Sequence, residues 1–503
     1  MSVTVGEGSS NFDLGIGAPS GAMPRSIDLR STRLPLGQRL GYATGGLVDG
    51  TILGTLNLFL LYYVTAVCGL SGSLAGAAIA AGLVVDAIAD FMIGVWSDGA
   101  RTRFGRRLPF MLPALPIIIL SLVALFSAPV GLSSLGLFVW IATLSTCLRV
   151  STSLFFLPHT ALGAELSDDY SERSTIMALR WLFNMLAGVI AMVIGFGLYF
   201  SGAQGLLNRA SYTPFAATIA VVIVIGGLIS SRTAWMTRNR EHSASSHGVG
   251  GNLLAQIKEM VASLSFRTLF FGSLLFFIGW GASSSLMLHA YTYFWGLTGA
   301  QVQAVTTGLM VGLLAGGPVG GRLLASFEKR SVVVAGIALM LILLAAPPLL
   351  RLTGALPLEG VQLTVLLTVI TVVSGVATAC AAIGLASALA DAADEHELSF
   401  GSRREGLYYA GWAFASKAAA GLGTLIAGIA LQAIGFPSHL AKDAVSKLQL
   451  SEHTISLLGV AAGPGAALVS ATGLIVLLRY RIDRKRHAAI IAALADRKAA
   501  TPT

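Results

Sequence analysis

The chain has 503 residues, of which 55% are hydrophobic and only 11% are charged, and its mean hydropathy is +0.77. Soluble domains carry about a quarter charged residues, so this composition excludes a protein whose main solvent is water. The formal net charge of +9 indicates membrane orientation and attraction to anionic lipid headgroups, and not nucleic-acid binding.

Long apolar stretches recur along the whole chain and predict an all-α membrane protein. Each stretch has about 20 residues or more, which is enough to cross about 30 Å of hydrocarbon as a helix, whereas barrel strands would be about half as long. The twelve predicted spans lie near residues 41–67, 74–97, 108–128, 135–161, 176–200, 213–231, 268–295, 301–325, 331–351, 361–389, 407–434 and 455–478.

The basic residues predict how these spans are oriented. If the N-terminus is cytoplasmic, most of the 33 Lys and Arg fall in cytoplasmic segments, as the positive-inside rule requires. We therefore expect a multi-pass protein of the cell (inner) membrane with both termini in the cytoplasm.

The longest internal connection divides the chain into two six-span halves. Its apolar residues between Leu253 and Leu264 recur at helical spacing and predict a helix on the inner membrane surface. Acidic-then-basic loops after spans 4 and 10 predict two parallel repeats with a substrate path between them. The predicted first half consists of a cytoplasmic tail (1–40) and six helices (41–231). A cytoplasmic middle loop with the surface helix follows (232–267). The second half has six helices (268–478) and a basic cytoplasmic tail (479–503).

The loop after span 2 combines one acid with four arginines: Asp98, Arg101, Arg103, Arg106 and Arg107. An acid at the end of a span, followed by a tight turn and bases that can pair with it or with a neighbouring helix end, predicts a breakable cytoplasmic gate. The pattern resembles a loop of the major facilitator superfamily. The arginines also fix topology.

Span 2 contains Asp86 and Asp90, which are four residues apart and therefore lie on one helix face. Ionised carboxylates inside a membrane cost several kcal/mol, so we expect them to face an aqueous cavity and to bind a cation or a proton. Permanent pairing with a buried arginine is the structural alternative.

Three motifs resemble the glycoside–pentoside–hexuronide:cation symporter family, the melibiose permease group of the major facilitator superfamily. They are the Asp86–Asp90 segment, the loop from Gly163 to Arg173 and the run from Arg403 to Tyr409. The resemblance covers roughly residues 40–480. It implies the major facilitator fold, twelve transmembrane helices in two six-helix halves, and symport of a sugar-like solute with Na⁺ or H⁺ by alternating access.

The resemblance also implies a cation site at Asp86 and Asp90, with Ser153 on span 4 offering a hydroxyl. The family has a carboxamide between the two acids, where this chain has Ala89. Because Na⁺ requires several oxygen ligands, the missing oxygen favours H⁺ slightly. No organic cofactor is expected beside the coupling ion.

Sugar permeases of this family hold sugar hydroxyls with aspartates on spans 1 and 4. Those places fall on Gly50, with Asp49 beside it, and on Phe156. One residue of displacement turns a side chain by about 100° around a helix, and Phe156 accepts no hydrogen bond. Asp49 and Phe156 are therefore candidate substrate residues of a site not built for a neutral galactoside.

Three basic residues lie within predicted spans: Arg149, Arg180 and Lys417. Arg180 and Lys417 match basic positions of the family and are candidate substrate-binding residues, whereas Arg149 has no counterpart. A mid-membrane guanidinium needs a partner, so Arg149 either pairs with Asp49, Asp86 or Asp90 or binds an anionic substrate group.

Aromatic residues of spans 7 and 11 complete the predicted substrate wall: Trp280, His289 and Trp412. The indoles can stack on a ring and His289 can relay a proton, although packing, and for His289 a structural hydrogen bond, is the alternative for each.

The sequence contains no phosphate-binding loop or nucleophile elbow, and Cys68, Cys147 and Cys380 show no disulfide or metal pattern. We therefore expect a non-enzymatic secondary transporter of a glycoside, uronide or other anionic sugar-like solute, working as a monomer among membrane lipids without nucleic acid. An amphipathic substrate such as a lysolipid, export, and a non-transporting sensor or assembly factor are the alternatives.

Overall fold

The structure is a computed structural model that describes residues 34–100, 102–167, 169–201, 205–238, 253–401, 405–437 and 450–500. Twelve helices of this described part are long and apolar enough to cross a membrane, as predicted. Spans 1 to 12 are Leu36–Leu60, Gly72–Gly94, Leu108–Leu125, Ser134–Glu165, Ser171–Tyr199, Arg209–Thr237, Leu264–Phe294, Gly299–Ser326, Lys329–Leu352, Gly360–Phe400, Glu405–Ala433 and Glu452–Leu477.

Span 10 departs most from the predicted boundaries. The acidic segment after residue 389 was expected to be a loop, but the helix continues to Phe400 and ends at Gly401, which has a left-handed backbone with φ of 78°. The acids of this extension have basic partners: Lys329 holds Asp391 at 2.7 Å, and Arg486 holds Glu395 at 2.6 Å. Neutralised acids in an alanine-rich segment favour helix over loop.

Two further helices lie outside the spans. The predicted surface helix forms at Leu253–Ala262, where Met260 is buried and Ile257 and Val261 are exposed. A tail helix, Arg484–Ala500, packs against the extension of span 10. Its residues Ile490 and Leu494 are buried, as expected for a surface element with an apolar face.

The two halves meet along at least three pairs of spans. Span 2 packs against span 11, span 5 contacts span 8, and span 1 contacts span 7. The chain enters span 1 at Leu36 and leaves through the tail helix at the same end of the bundle, which we call the terminal face. We call the opposite end the far face. The candidate residues lie between the halves, between these two ends.

Candidate functional site

Lys417 joins the two acids of span 2 to the other half of the protein. Its Nζ lies 2.8 Å from Asp86 Oδ2 and also forms an ion pair with Asp90 Oδ2. Ser153 Oγ on span 4 donates a hydrogen bond of 2.7 Å to Asp86 Oδ1. Four residues from three spans therefore form one charged cluster, which we call the Lys417 cluster.

The Lys417 cluster has an acceptor atom without a partner and is partly exposed. Asp90 Oδ1 is buried without a hydrogen-bond partner in the described part of the chain. The side chains of Lys417 and Asp90 are 32% and 24% exposed, although both lie between the halves. We call the open space beside these two side chains, between the halves, the vestibule. The carboxylate and hydroxyl oxygens of the cluster are ligands suited to a proton or a hard cation.

The far face of this vestibule is closed by direct contact between the halves. Tyr62 and Tyr293 share a hydrogen bond of 3.1 Å between their hydroxyls. A Cβ added at Gly428 would lie 2.2 Å from the carbonyl oxygen of Gly72, so spans 2 and 11 touch backbone to backbone there. The vestibule therefore opens toward the terminal face.

His289 belongs to this closed seal. The ring is fully buried, its Nε2 lies 2.9 Å from Thr65 Oγ1, and it packs near Tyr62 and Phe436. The sequence placed His289 in the substrate wall, but in this conformation it does not line the main cavity. Its contacts favour the alternative reading as a hydrogen-bonded structural histidine.

Span 5 brings a second polar group to the vestibule. Asn184 Nδ2 donates a hydrogen bond of 2.8 Å to Asp49 Oδ2. Arg180, one turn earlier on the same span, donates to Thr160 Oγ1 at 3.1 Å and lies over the Phe156 ring, 5.3 Å from its centroid. Sequence reasoning missed Asn184; its spacing of four residues from Arg180 was the available signal.

Arg149 stands apart from the ion pairs of the described residues. Its guanidinium feels the charge of Asp86, but among the described residues it forms no ion pair with Asp49, Asp86 or Asp90. Its Nε–H is buried and donates to no partner among the described residues. Of the two expectations for Arg149, the geometry favours an arginine that is free to meet an anionic group.

The two tryptophans occupy different positions. Trp280 on span 7 and Asn184 on span 5 line the same cavity, which lies between the two halves and extends into the second half. Trp412 on span 11 makes an edge contact with Phe277, with ring centroids 6.2 Å apart, and its Nε1 is buried without a partner in the described chain.

The arginine-rich loop is attached to its own half. Arg106 and Arg107 both form ion pairs with Glu165 at the end of span 4, the latter at 2.6 Å, and Arg107 Nη1 donates to Ser97 Oγ at 2.9 Å. Arg103 lies over the Phe104 ring. Arg101 and the side chain of Asp98 lie outside the described residues. Within the described part of the chain, Arg106 and Arg107 thus contact a neighbouring helix end, which is one of the two expected partners.

The second half repeats this arrangement. Lys329, at the start of span 9, holds Asp391 on span 10 through both carboxylate oxygens at 2.7 Å. Spans 4 and 10 occupy the same place in each half, so Glu165 and Asp391 correspond. The structural repeat expected from the two acidic segments is therefore present in their contacts.

Twelve spans in two repeated halves, with a charged vestibule between them that is closed at one end, define a membrane transporter that works by alternating access. The sequence matches the family described as MFS/sugar transport protein over residues 41–484. The match covers far more than half of the chain, so the protein belongs to this family of major facilitator transporters and is not an enzyme.

Several relatives are named symporters, which supports cation-coupled secondary transport. The chain is 24% identical to an uncharacterized symporter, sll1374, of Synechocystis, over 92% of this chain and 97% of the relative. It is 22% identical to the isoprimeverose transporter of Lactiplantibacillus pentosus, over 93% of each chain. It is 30% identical to the sodium-dependent lysophosphatidylcholine symporter 1 of Gallus gallus, over 36% of this chain and 34% of that relative.

The solved structures show the same fold. A D-xylose-proton symporter superposes with a TM-score of 0.57, covering 88% of this chain and 95% of the other at 16% sequence identity. At this identity the likeness concerns the fold alone.

Proposed function

We propose that this protein couples the movement of H⁺ or Na⁺ to the transport of a glycoside, a uronide or another anionic sugar-like solute. The observation that carries the proposal is the Lys417 cluster, in which a lysine of one half forms ion pairs with two acids of the other half. Such a cluster links the charge state of the cation site to the contact between the halves. Alternating access needs this link.

Lys417 acts as an internal competitor of the coupling ion. In the structure, its ammonium occupies the oxygens of Asp86 and Asp90, with which a cation or proton would otherwise associate. An ion that binds the two acids releases Lys417 from them. The freed ammonium then faces the vestibule, where it attracts an anionic solute, so ion and solute bind cooperatively.

The substrate groups follow from the surrounding charges. Arg149 and Arg180 supply two further cations, whereas Asp49 and Asn184 supply an acceptor and an amide for sugar hydroxyls. Trp280 provides an aromatic wall for a ring. This combination suits a hydroxylated solute that carries a negative group better than a neutral disaccharide.

A second candidate is an amphipathic substrate such as a lysolipid. Phe156 presents an apolar ring where the family's sugar permeases place an acid, and one relative with partial coverage is named for lysophosphatidylcholine. Export remains a further alternative. A role as a non-transporting sensor or assembly factor is less favoured, because a costly charged cluster serves the binding of a coupling ion.

The location rests on the distribution of charge. We infer that both termini are cytoplasmic and that the protein lies in the cell (inner) membrane, because most Lys and Arg then fall in cytoplasmic segments. The terminal face is then the cytoplasmic one, and the structure is inward-facing. A single chain contains both repeats and the path between them, so the monomer is the proposed functional unit.

The first test is thermal stabilisation of the purified protein by a panel of sugars, uronides, organic acids and lysolipids, each with and without Na⁺ and at two pH values. We expect a uronide or another anionic glycoside to raise the melting temperature, with a larger rise when the coupling ion is present. Stabilisation by lysolipids alone would select the second candidate, and stabilisation by no solute would contradict transport.

A further inference from the structure

The interiors of the two halves are filled differently. In the first half, four rings from spans 1, 5 and 6 pack into one cluster: Phe59, Phe196, Phe200 and Phe215. The ring centroids of four pairs in this cluster are 5.0–5.3 Å apart. All four are buried, and they fill the space between their spans.

The second half contains a cavity. Span 12, the counterpart of span 6, contributes only Gly459, Ala462 and Gly463 to its lining, whereas span 6 contributes Phe215 to the ring cluster of the first half. The cavity has a volume of about 380 Å³, and its deep wall comes from spans 8, 9 and 10. That wall is mostly aliphatic, with a few hydroxyl groups on spans 8 and 10; its aliphatic residues include Leu309, Leu313, Leu343, Leu344, Leu367 and Ile370.

The part of this cavity that lies between the two halves is lined by polar groups. Asn184, which holds Asp49, lines it from the first half. Trp280 and Ser284 line it from span 7. The cavity therefore extends from the amide that holds Asp49 into a mostly apolar interior.

We propose that this cavity, which we call the C-half cavity, binds the apolar part of the transported solute, a single alkyl or acyl chain or an apolar aglycone. The polar or anionic head remains at Asn184, Arg180 and Arg149. The proposal rests on the proposed function and narrows its substrate to an amphipathic solute, such as a glycoside or uronide with an apolar substituent.

Size and continuity select this occupant. The volume lies near the lower end of the range for small-ligand pockets, about 300–1,000 Å³, so it has room for one chain and not for a two-chain phospholipid. Water is a poor occupant of an aliphatic cavity. A chain attached to a head in the vestibule enters without leaving the transport path.

The test measures how tightly single-chain amphiphiles of increasing alkyl length bind to the protein. The protein is held in lipid nanodiscs, and each amphiphile is used below its micelle-forming concentration. One series carries a glucuronide head and the other a lysophosphate head, so that the chain is tested separately from the head. We expect each added methylene to tighten binding by about threefold to fourfold until the cavity is full. Methyl glucuronide is the short reference.

Two variants fill the cavity from different walls. Ser374→Phe on span 10 and Ala462→Leu on span 12 both place extra atoms in its lining. We expect both to remove the dependence on chain length while leaving methyl glucuronide binding unchanged. Val369→Phe is the matched control, because Val369 is 55% exposed on span 10 and does not line the cavity.

The outcomes separate the two proposals. Binding by the unchanged protein that does not vary with chain length in either series overturns the C-half cavity proposal. The same slope in the cavity-filling variants and in Val369→Phe also overturns it. Ion-driven uptake of methyl glucuronide is measured separately: its absence counts against sugar symport, whereas a chain-length slope in the lysophosphate series would still support the cavity.

Discussion

Lys417 and Asp86 lie on spans of opposite halves and are held together by an ion pair of 2.8 Å. The two residues are 331 positions apart in the sequence. Asp86 is 5% exposed, and its other carboxylate oxygen is occupied by Ser153. Any movement that separates spans 2 and 11 here must first supply this carboxylate with another positive charge, which is the physical basis of coupling in the account above.

Replacement of the lysine tests its role as a competitor of the ion. Lys417→Ala leaves Asp86 and Asp90 without their counter-charge, which should lower stability by about 1–3 kcal/mol, less than for a fully buried pair because a third of the side chain is exposed. The same variant should show a larger rise in melting temperature with the coupling ion than the unchanged protein, since no lysine has to be displaced.

Lys329→Ala is the matched control for that experiment. Lys329 also neutralises an aspartate, Asp391, but away from the vestibule. We expect lower stability and an unchanged ion-induced shift. Equal ion-induced shifts in Lys417→Ala and in the unchanged protein would rule out competition between lysine and ion.

Arg149 distinguishes a substrate contact from a structural pair. Because it has no ion pair in the described chain, Arg149→Ala should leave the melting temperature nearly unchanged. A charge-assisted hydrogen bond contributes about 1.5–3 kcal/mol, so loss of the substrate contact should raise the apparent KM for an anionic solute by about 10- to 100-fold. Uptake kinetics and thermal melting check this directly; a large loss of stability with unchanged KM would identify a structural role.

The far-face seal depends on glycine at the crossing of spans 2 and 11. Gly428→Ala places a methyl group 2.2 Å from the Gly72 carbonyl oxygen, so the halves cannot close as observed. We expect the population to shift toward the conformation that is open at the far face, with greater labelling of a cysteine introduced at Tyr62. Gly317→Ala, where an added Cβ meets nothing within 4 Å, should leave labelling unchanged. Equal labelling in both variants would show that this contact does not control closure.

The arginine-rich loop should stabilise the first half. Glu165→Gln removes the carboxylate shared by Arg106 and Arg107, and Arg107 is only 2% exposed. We expect a loss of about 2–4 kcal/mol in unfolding free energy, with the loss from Arg107→Ala and Glu165→Gln together smaller than the sum of the single losses. Additive losses in chemical denaturation would exclude direct coupling between the two side chains.

The sequence predicted the features that depend on local spacing. Apolar length predicted the twelve spans, and the four-residue spacing predicted that Asp86 and Asp90 share a face. The sequence placed Lys417 among the substrate residues, because no local pattern shows that spans 2 and 11 lie against each other. The three-dimensional packing of the halves makes that contact, which no periodicity in one span can show.

Two other differences have similar physical causes. The end of span 10 looked like a loop because its acids are dense, whereas bases from distant segments, Lys329 and Arg486, neutralise them in the helix. His289 looked like a substrate residue because it lies on span 7 among polar neighbours. In the structure His289 lies against Thr65 in the seal. This contact depends on how spans 1 and 7 pack, which the sequence of one span does not show.

The most direct test of ion coupling through the two acids is uptake into proteoliposomes driven by an imposed Na⁺ gradient or pH gradient, with a solute identified by thermal stabilisation. We predict accumulation above equilibrium with one of these gradients, and loss of accumulation in both Asp86→Asn and Asp90→Asn, although both variants remain inserted and folded. Undiminished accumulation in both variants would contradict the assignment of Asp86 and Asp90 as the cation site.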